Sequence, residues 1–573
     1  MPTVIQVSNR LLALLAGLMA LLQACSGGGG PTGPATPPDN GAPPSMSALD
    51  ASRFLHRASF GASKASIESL QALDYAGWLD AQVAAPVSLM KPKLIELGCP
   101  QVLPDGDLEC GFIDPHIALR DRLWWEHAVY GPDQLRQRVG FALSEILVLS
   151  IFNAELAEYP VLIADYYDTL VQGAFGNYRD LLEEVTLHPA MGIYLSMLGN
   201  RKEDPIAGTR PDENYAREVM QLFSIGLVQL DAGGQPMLDG SGQPIPTYTQ
   251  NDIEELARVL TGWTWATGEP KTADLEQFEG LEPMFGRMQP WPAFHDAGAK
   301  TIVGGLAIPA GQTPEQDLAM ALDALFQHPN VGPFLSRQLI QRLVTSNPSA
   351  DYVARVSGVF SDDGSGVRGN LEAVVRAILL DPEALAPPAD PTTFGKLREP
   401  LMRATALWRA FGTETEGTPF EDFIAGEFLG QQALYSPSVF NFFSPFYSTS
   451  ALAADGLVAP ELQISTHATL SSAADLLATA VFEGNTLTES DAEWPLAVLD
   501  LGELQAVASE PATLLTAIEE RLIGHRFAPA ARDAVLAYIA KIDLESDGLP
   551  DGFERVQDTL TVVLVSPDFL VQK

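Results

Sequence analysis

Apolar side chains return every three or four positions through most of the chain, the spacing that places them on one face of a helix. "SALDASRFLHRASFG" opens the series, with Ser47 set to cap its start. "ASIESLQALDYAGWLDAQV", "HIALRDRLWWEHAVYG", "DQLRQRVGFALSEILVLSIF" and "VLIADYYDTLVQGAFG" follow the same rhythm. So do "TPEQDLAMALDALFQ", "PFLSRQLIQRLVT", "GNLEAVVRAILLDPEA", "TFGKLREPLMRATALWRAFG" and "PATLLTAIEERLIG". Pro and Gly fall between them, where helices stop. Two stretches depart from the rhythm. Residues 227–250, "LVQLDAGGQPMLDGSGQPIPTYTQ", set two short apolar runs between Asp/Gly/Pro turns and read as a small β-hairpin-like excursion. The Pro/Gly-rich segment that follows ends in "KTIVGGLAIP", a second β-like excursion within 294–310. No βαβ pattern, fixed-period repeat or later transmembrane segment is visible. The expectation is a mainly α fold: one large multi-helix domain over 47–573 with small β-hairpin insertions.

Within this pattern "RPDENYAREVMQLFSIG" raises a functional question. At about 100° per residue, Asn214, Arg217, Glu218 and Gln221 share one arc of the helix. Tyr215, Val219, Leu222 and Phe223 cover the rest, and Gly226 is a natural stop. Spacing alone reads equally as a solvated face, which is the commoner case. Thr249 and Asp252 have capping-box spacing ahead of Ile253, Leu256 and Leu260. The loop "WPAFHDAGAKTIVGG" then brings His295, Asp296 and Lys300 close together. A His beside an Asp supplies a base with its orienter, or a pair of metal ligands. A loop His that hydrogen-bonds the backbone is the simpler reading.

The N-terminus reads as an address. "NRLLALLAGLMALLQAC" has Arg10, an apolar stretch too short to span a bilayer, and small residues before Cys25. Leu22-Gln23-Ala24-Cys25 resembles a bacterial lipobox, which implies a signal peptide over 1–24, lipidation of Cys25 and, with Ser26 next, an outer-membrane lipoprotein facing the periplasm. The Gly/Pro-rich run behind it, 25–46, suits a tether. Export places the two remaining cysteines, Cys99 and Cys110, in an oxidising compartment, where they form a disulfide or stay free thiols. The 34 Lys+Arg against 73 Asp+Glu give a net charge of −39. That excludes nucleic acid as a partner, since phosphate contacts need clustered cations, and leaves the lipid anchor as the route to the membrane.

"RFLHRASFG", "NYAREVMQLFSIG", "YTQNDIEELARVLTGW", "FHDAGAKTIVGG", "FQHPNVGPFLSRQLIQRLV" and "SPDFLVQ" occur in that order, and "PSVFNFFSPFY" joins them. Together they resemble the uncharacterised bacterial family known as domain of unknown function 1800, over about Ser47 to Gln572. The resemblance picks out Arg57, Asn214, Arg217, Glu218, Asp252, Arg258, His295, Asp296 and Lys300 as characteristic polar positions. It implies a sulfatase-like partner of the domain of unknown function 1501 family. Two arrangements fit those residues: a functional cleft, or a buried ion-pair network that fixes helix packing.

Near the C-terminus, "DLESDGLPDGFE" lies between two helical segments. On the twelve-residue EF-hand loop, Asp543, Glu545, Asp547, the Leu549 carbonyl, Asp551 and Glu554 take the oxygen-ligand positions, with Gly548 at the sharp turn. Glu545 is longer than the usual ligand and Pro550 interrupts the strand-like position, so calcium and a plain acidic turn both fit. No phosphate-binding loop, dinucleotide fingerprint, zinc-protease helix or nucleophile elbow occurs. Two functions follow. The first is a lipid-anchored envelope scaffold or binding module working with a partner. The second is a metal-assisted or acid/base hydrolase, with His295 as base, Asp296 as its orienter, Arg217 and Lys300 as anion holders, and Glu218 in the same cleft.

Overall fold

The computed structural model describes residues 46–97, 113–268, 271–281, 286–386, 393–412, 425–482, 498–545 and 550–573. Helix α1 (Ala48–Ala58) starts where the Ser47 hydroxyl accepts the Asp50 N–H at 3.1 Å. The cap expected from sequence is therefore in place. Then come α2 (Lys64–Val83), α3 (Met90–Glu96), α4 (Ile113–Tyr130), α5 (Gln134–Ser144), α6 (Pro160–Gly173), α7 (Tyr178–Leu187) and α8 (Pro189–Tyr194). Helix α5 packs on α6, and α6 also meets α3 and α7. Next are α9 (Asn214–Gln221), α10 (Gln250–Val259) and α11 (Leu275–Glu279). Thr249 and Asp252 form the capping box of α10, each side chain bonding the other's backbone N–H. Helices α12 (Pro314–Gln327), α13 (Val331–Leu343), α14 (Ala350–Ser361) and α15 (Leu371–Leu379) stack in sequence, α13 on α14 and α14 on α15. The last third holds α16 (Pro382–Leu385), α17 (Pro400–Phe411), α18 (Ala425–Leu429), α19 (Ser450–Ala454) and α20 (His467–Phe482). It ends with α21 (Gly502–Ala506), α22 (Pro511–Ile518), α23 (Pro529–Ile539), α24 (Phe553–Leu564) and α25 (Pro567–Leu570). One continuous apolar core runs from Ala51 to Phe569. The fold is mainly α, and none of its described helices is long and apolar enough to cross a membrane.

Three antiparallel pairs complete the described structure: β1 (Trp263–Thr264) with β2 (Gln289–Pro290), β3 (Lys300–Ile302) with β4 (Leu306–Ile308), and β5 (Lys396–Leu397) with β6 (Val571–Gln572). The β3–β4 hairpin is the excursion expected within 294–310. The other, over 227–250, has three rungs closed on themselves. The Gln229 N–H donates to the Ile245 carbonyl at 2.8 Å, Met237 N–H to Gln229 at 2.8 Å, and Ile245 N–H to Met237 at 2.9 Å. Its corners come from a repeat that the helical reading passed over: Leu230-Asp231-x-x-Gly234-Gln235-Pro236 and, eight residues on, Leu238-Asp239-x-x-Gly242-Gln243-Pro244. In each, the Asp carboxylate accepts the Gln N–H at 2.9 Å and the Gly takes a positive φ, 74° and 81°. These are the roles turn chemistry gives to Asp and Gly.

Candidate functional site

The polar arc on α9 divides. Asn214 is exposed, and Arg217 is half-exposed, reaching Glu213 at 3.2 Å and Gln250 at 3.4 Å. Glu218 turns inward to the neighbourhood of Tyr194 and Tyr248, with one carboxylate oxygen buried and without a hydrogen-bond partner. Burial raises its pKa against the pull of Arg217. Asp252 serves the α10 cap. Arg57 is buried in α1, donating to the Ala384 carbonyl beneath the Phe394 ring, and burial pushes it down to about 10.

The 294–305 loop packs its polar residues against the end of α10 and the start of α12. One His295 nitrogen, Nδ1, faces the Thr261 carbonyl at 3.0 Å; Nε2 faces the Asp317 carboxylate at 3.1 Å. Lys300 Nζ reaches the same Asp317 oxygen at 2.5 Å and also donates to the Asp296 and Gly298 carbonyls. Asp296 pairs instead with Arg258, at 2.7 and 3.2 Å. Burial opposes its ionisation, but the Arg258 guanidinium and the Gly298 N–H hold its carboxyl below the usual range. Arg258 is further tied to Glu255 at 2.9 Å. This corrects the expected roles. The carboxylate beside His295 is Asp317, from a different helix, and both ring nitrogens are already engaged. Lys300 is buried in three contacts. Glu218 shares none of the hydrogen bonds or ion pairs that join His295, Asp296 and Lys300. Within the loop, His295 and Lys300 meet on Asp317, and Asp296 on Arg258.

The remaining expected sites lie partly or wholly outside the described residues: Cys25, Cys99, Cys110, and Asp547 with Leu549 of the calcium loop. Of its other ligands, Asp543, Glu545 and Asp551 are exposed, and Glu554 stands in the first turn of α24. Among the described residues no group of three or more His, Cys, Asp or Glu side chains is arranged to hold a metal ion.

A different place has the shape of a site. A cavity of about 430 Å³ opens between the chain after α5, the end of α9, the three-rung excursion, α13 and residues 439–446. Its walls are apolar, among them Ile146, Val148, Leu222, Leu230, Phe334 and Phe443. Its floor is polar. On α13, Phe334, Arg337, Gln338, Gln341 and Arg342 recur at three- and four-residue intervals, so one helix face lines it. Arg342 donates to the Glu145 carbonyl at 2.8 Å and stands 3.7 Å from its carboxylate; Asn441 donates to the other carboxylate oxygen at 3.3 Å. Gln341 anchors the aromatic 439–446 segment through the Pro445 carbonyl at 3.1 Å. Five buried floor atoms have no hydrogen-bond partner among the described residues: Glu145 Oε2, Arg337 Nε, Gln338 Nε2, Gln341 Oε1 and Arg342 Nε. Burial, and then the Glu399 carboxylate behind it, push Glu145 up to about 8, against Arg342 and Lys396.

Residues 53–571 match the family described as Protein of unknown function (DUF1800). The chain belongs to that family. Neither a curated protein nor a solved structure matches it. In this DUF1800 chain, the segments "FLSRQLIQRLV" and "PSVFNFFSPFY", which carry part of the resemblance, build two walls of the cavity. The sequence signal for its floor was available. Glu145 is a lone acid inside the apolar run "FALSEILVLSI", and Arg337, Gln338, Gln341 and Arg342 interrupt the apolar face of their helix. Of the arc on α9, it is Gln221 that reaches the cavity.

Proposed function

We propose that this protein is a binding module whose cavity holds a small amphiphilic molecule. The observation that carries the reading is an apolar-walled cavity of about 430 Å³ whose lining residues include three buried polar atoms, Arg337 Nε, Gln338 Nε2 and Gln341 Oε1, without a hydrogen-bond partner among the described residues, beside the Glu145–Arg342 pair at 3.7 Å. Buried polar groups normally have partners, and binding sites combine an apolar lining with a few convergent polar groups. The lining offers donors at Gln338 Nε2 and Arg337 Nε, an acceptor at Gln341 Oε1, and a carboxyl at Glu145 that burial and Glu399 push towards its protonated form. A neutral or anionic polar head fits that set, with its apolar body against Phe334 and Phe443. The module works from the cell envelope: exported by the 1–24 signal, lipid-anchored at Cys25 to the outer membrane, tethered by 25–46, and paired with a sulfatase-like protein of the domain of unknown function 1501 family. Calcium at the 543–554 loop is a structural accessory of this reading.

Native mass spectrometry of the gel-filtered protein tests it. A co-purified small molecule is expected, released on denaturation and absent from Val148→Trp, which fills the cavity. A protein that carries no such adduct, and whose melting temperature Val148→Trp leaves unchanged in a cell extract of small molecules, overturns it. A second reading, an acid/base hydrolase, is favoured by one observation: Glu145 lines the cavity with a buried carboxyl 3.7 Å from Arg342, and burial favours its protonated form. In that case Glu145→Gln abolishes turnover while leaving the ligand bound.

A further inference from the structure

Behind the floor, one buried cation stands apart from the carboxylates that serve its neighbours. A second cavity, of about 10 Å³, is lined by His56, Phe60, Arg138, Lys396, Arg398, Glu399, Met402 and Gln572. It lies where α1, α5, β5 and the C-terminal β6 meet. Its walls bring three cations against one carboxylate. Lys396 is engaged by Glu399 at 3.4 Å and Glu461 at 3.1 Å. Arg138 feels Glu399, Glu145 and Glu461, and donates to the Arg342 carbonyl at 2.5 Å. Among the described residues Arg398 has no carboxylate partner. It donates once to the Leu522 carbonyl at 2.7 Å and lies 5.1 Å from the Phe569 ring centre. The charged group that bears on it is another cation, Arg403.

Three of the cavity's lining residues also carry unsatisfied atoms. Arg398 Nε and Nη2, Arg138 Nε and Nη1, and His56 Nε2 are all buried without a hydrogen-bond partner among the described residues. Both arginines are buried. A buried cation with unmade hydrogen bonds costs several kcal/mol unless a counter-charge accompanies it. Arginine does not escape by losing its proton. Burial together with Arg403 pushes Arg398 down only to about 9.

We propose that this cavity is a binding site for a small monovalent anion of the halide class, held by Arg398 and Arg138. About 10–15 Å³ of such space accommodates one water-sized sphere. A chloride ion is slightly larger, and Met402 is the adaptable wall that gives way. The anion would accept from the free guanidinium nitrogens and offset the charge of Arg398. Glu399 stays directed to Lys396 and to Gln431, which donates to it at 2.7 Å. The site goes beyond the proposed amphiphile cavity and does not depend on it.

Crystals of the protein soaked in sodium bromide, read by anomalous scattering at the bromine edge, test the proposal. A bromide peak within contact distance of Arg398 and Arg138 is expected, absent in Arg398→Met. Density that refines as water, with no anomalous signal in the wild type, overturns it. In solution, replacing gluconate by chloride at constant ionic strength should raise the melting temperature by about 1 °C once chloride stands tenfold above its Kd. Arg398→Met should abolish that rise. An equal rise in wild type and variant overturns the assignment of the ion to this cavity.

Discussion

Asp317 lies against both His295 and Lys300, and both partners are buried. Removing its carboxylate leaves a buried ammonium uncompensated, so Asp317→Ala should cost about 3–5 kcal/mol, read as a fall in the urea midpoint. Ligand retention by the 430 Å³ cavity should be unchanged in whatever fraction stays folded. Glu145 makes a prediction with a pH signature. Its folded pKa stands near 8, raised from an ordinary 4.5. The folded state keeps a proton that the unfolded chain releases above about pH 4.5. Its contribution is therefore fully present below that pH and is lost as pH rises through about 8. Glu145→Gln, which cannot ionise, should melt progressively higher relative to wild type as pH is raised from 5 to 9. A constant difference across that range would show that Glu145 does not titrate there. Neither residue was found by reading neighbours. Asp317 is 22 positions from His295, and Arg342 is 197 positions from Glu145. Local spacing does not carry pairings of that separation and offers His295 only the adjacent Asp296.

Helix starts and stops were legible because their chemistry is local. Ser47 and the Thr249–Asp252 box cap the helices they were expected to cap. Thr249→Ala should cost about 1 kcal/mol, measured by thermal melting. The 227–250 excursion was legible as β-like but not as a closed three-rung element, since closure depends on which rung meets which. Its Gly242 has a φ of 81° and open space where a Cβ would stand. Gly242→Ala therefore meets backbone strain alone, about 1–2 kcal/mol, while Gly242→Asn should be milder because Asn tolerates that conformation. Gly234 adds a neighbour, Val353 Cγ1, 3.2 Å from a Cβ built there. Gly234→Ala should accordingly be the more damaging of the two and, since Gly234 lines the cavity, should also loosen the ligand.

Across the molecule, charge is sorted by depth. The chain carries −39 overall, yet the cavity behind Glu145 has more cations than carboxylates on its walls. Composition reported the surface and concealed the interior. The β5–β6 pair closes that interior: Leu570 O accepts the Arg398 N–H at 2.8 Å, and the Gln572 side chain donates to Leu343 O at 2.9 Å. Deleting residues 571–573 should lower the melting temperature by several degrees and broaden the transition, since Lys396 and its partners would lose their cover. The pair also ties together two stretches far apart along the chain, Lys396 with Gln572 and Leu397 with Val571. Closing so long a loop comes after the local helices have formed, so the charged interior stays wet until that late meeting.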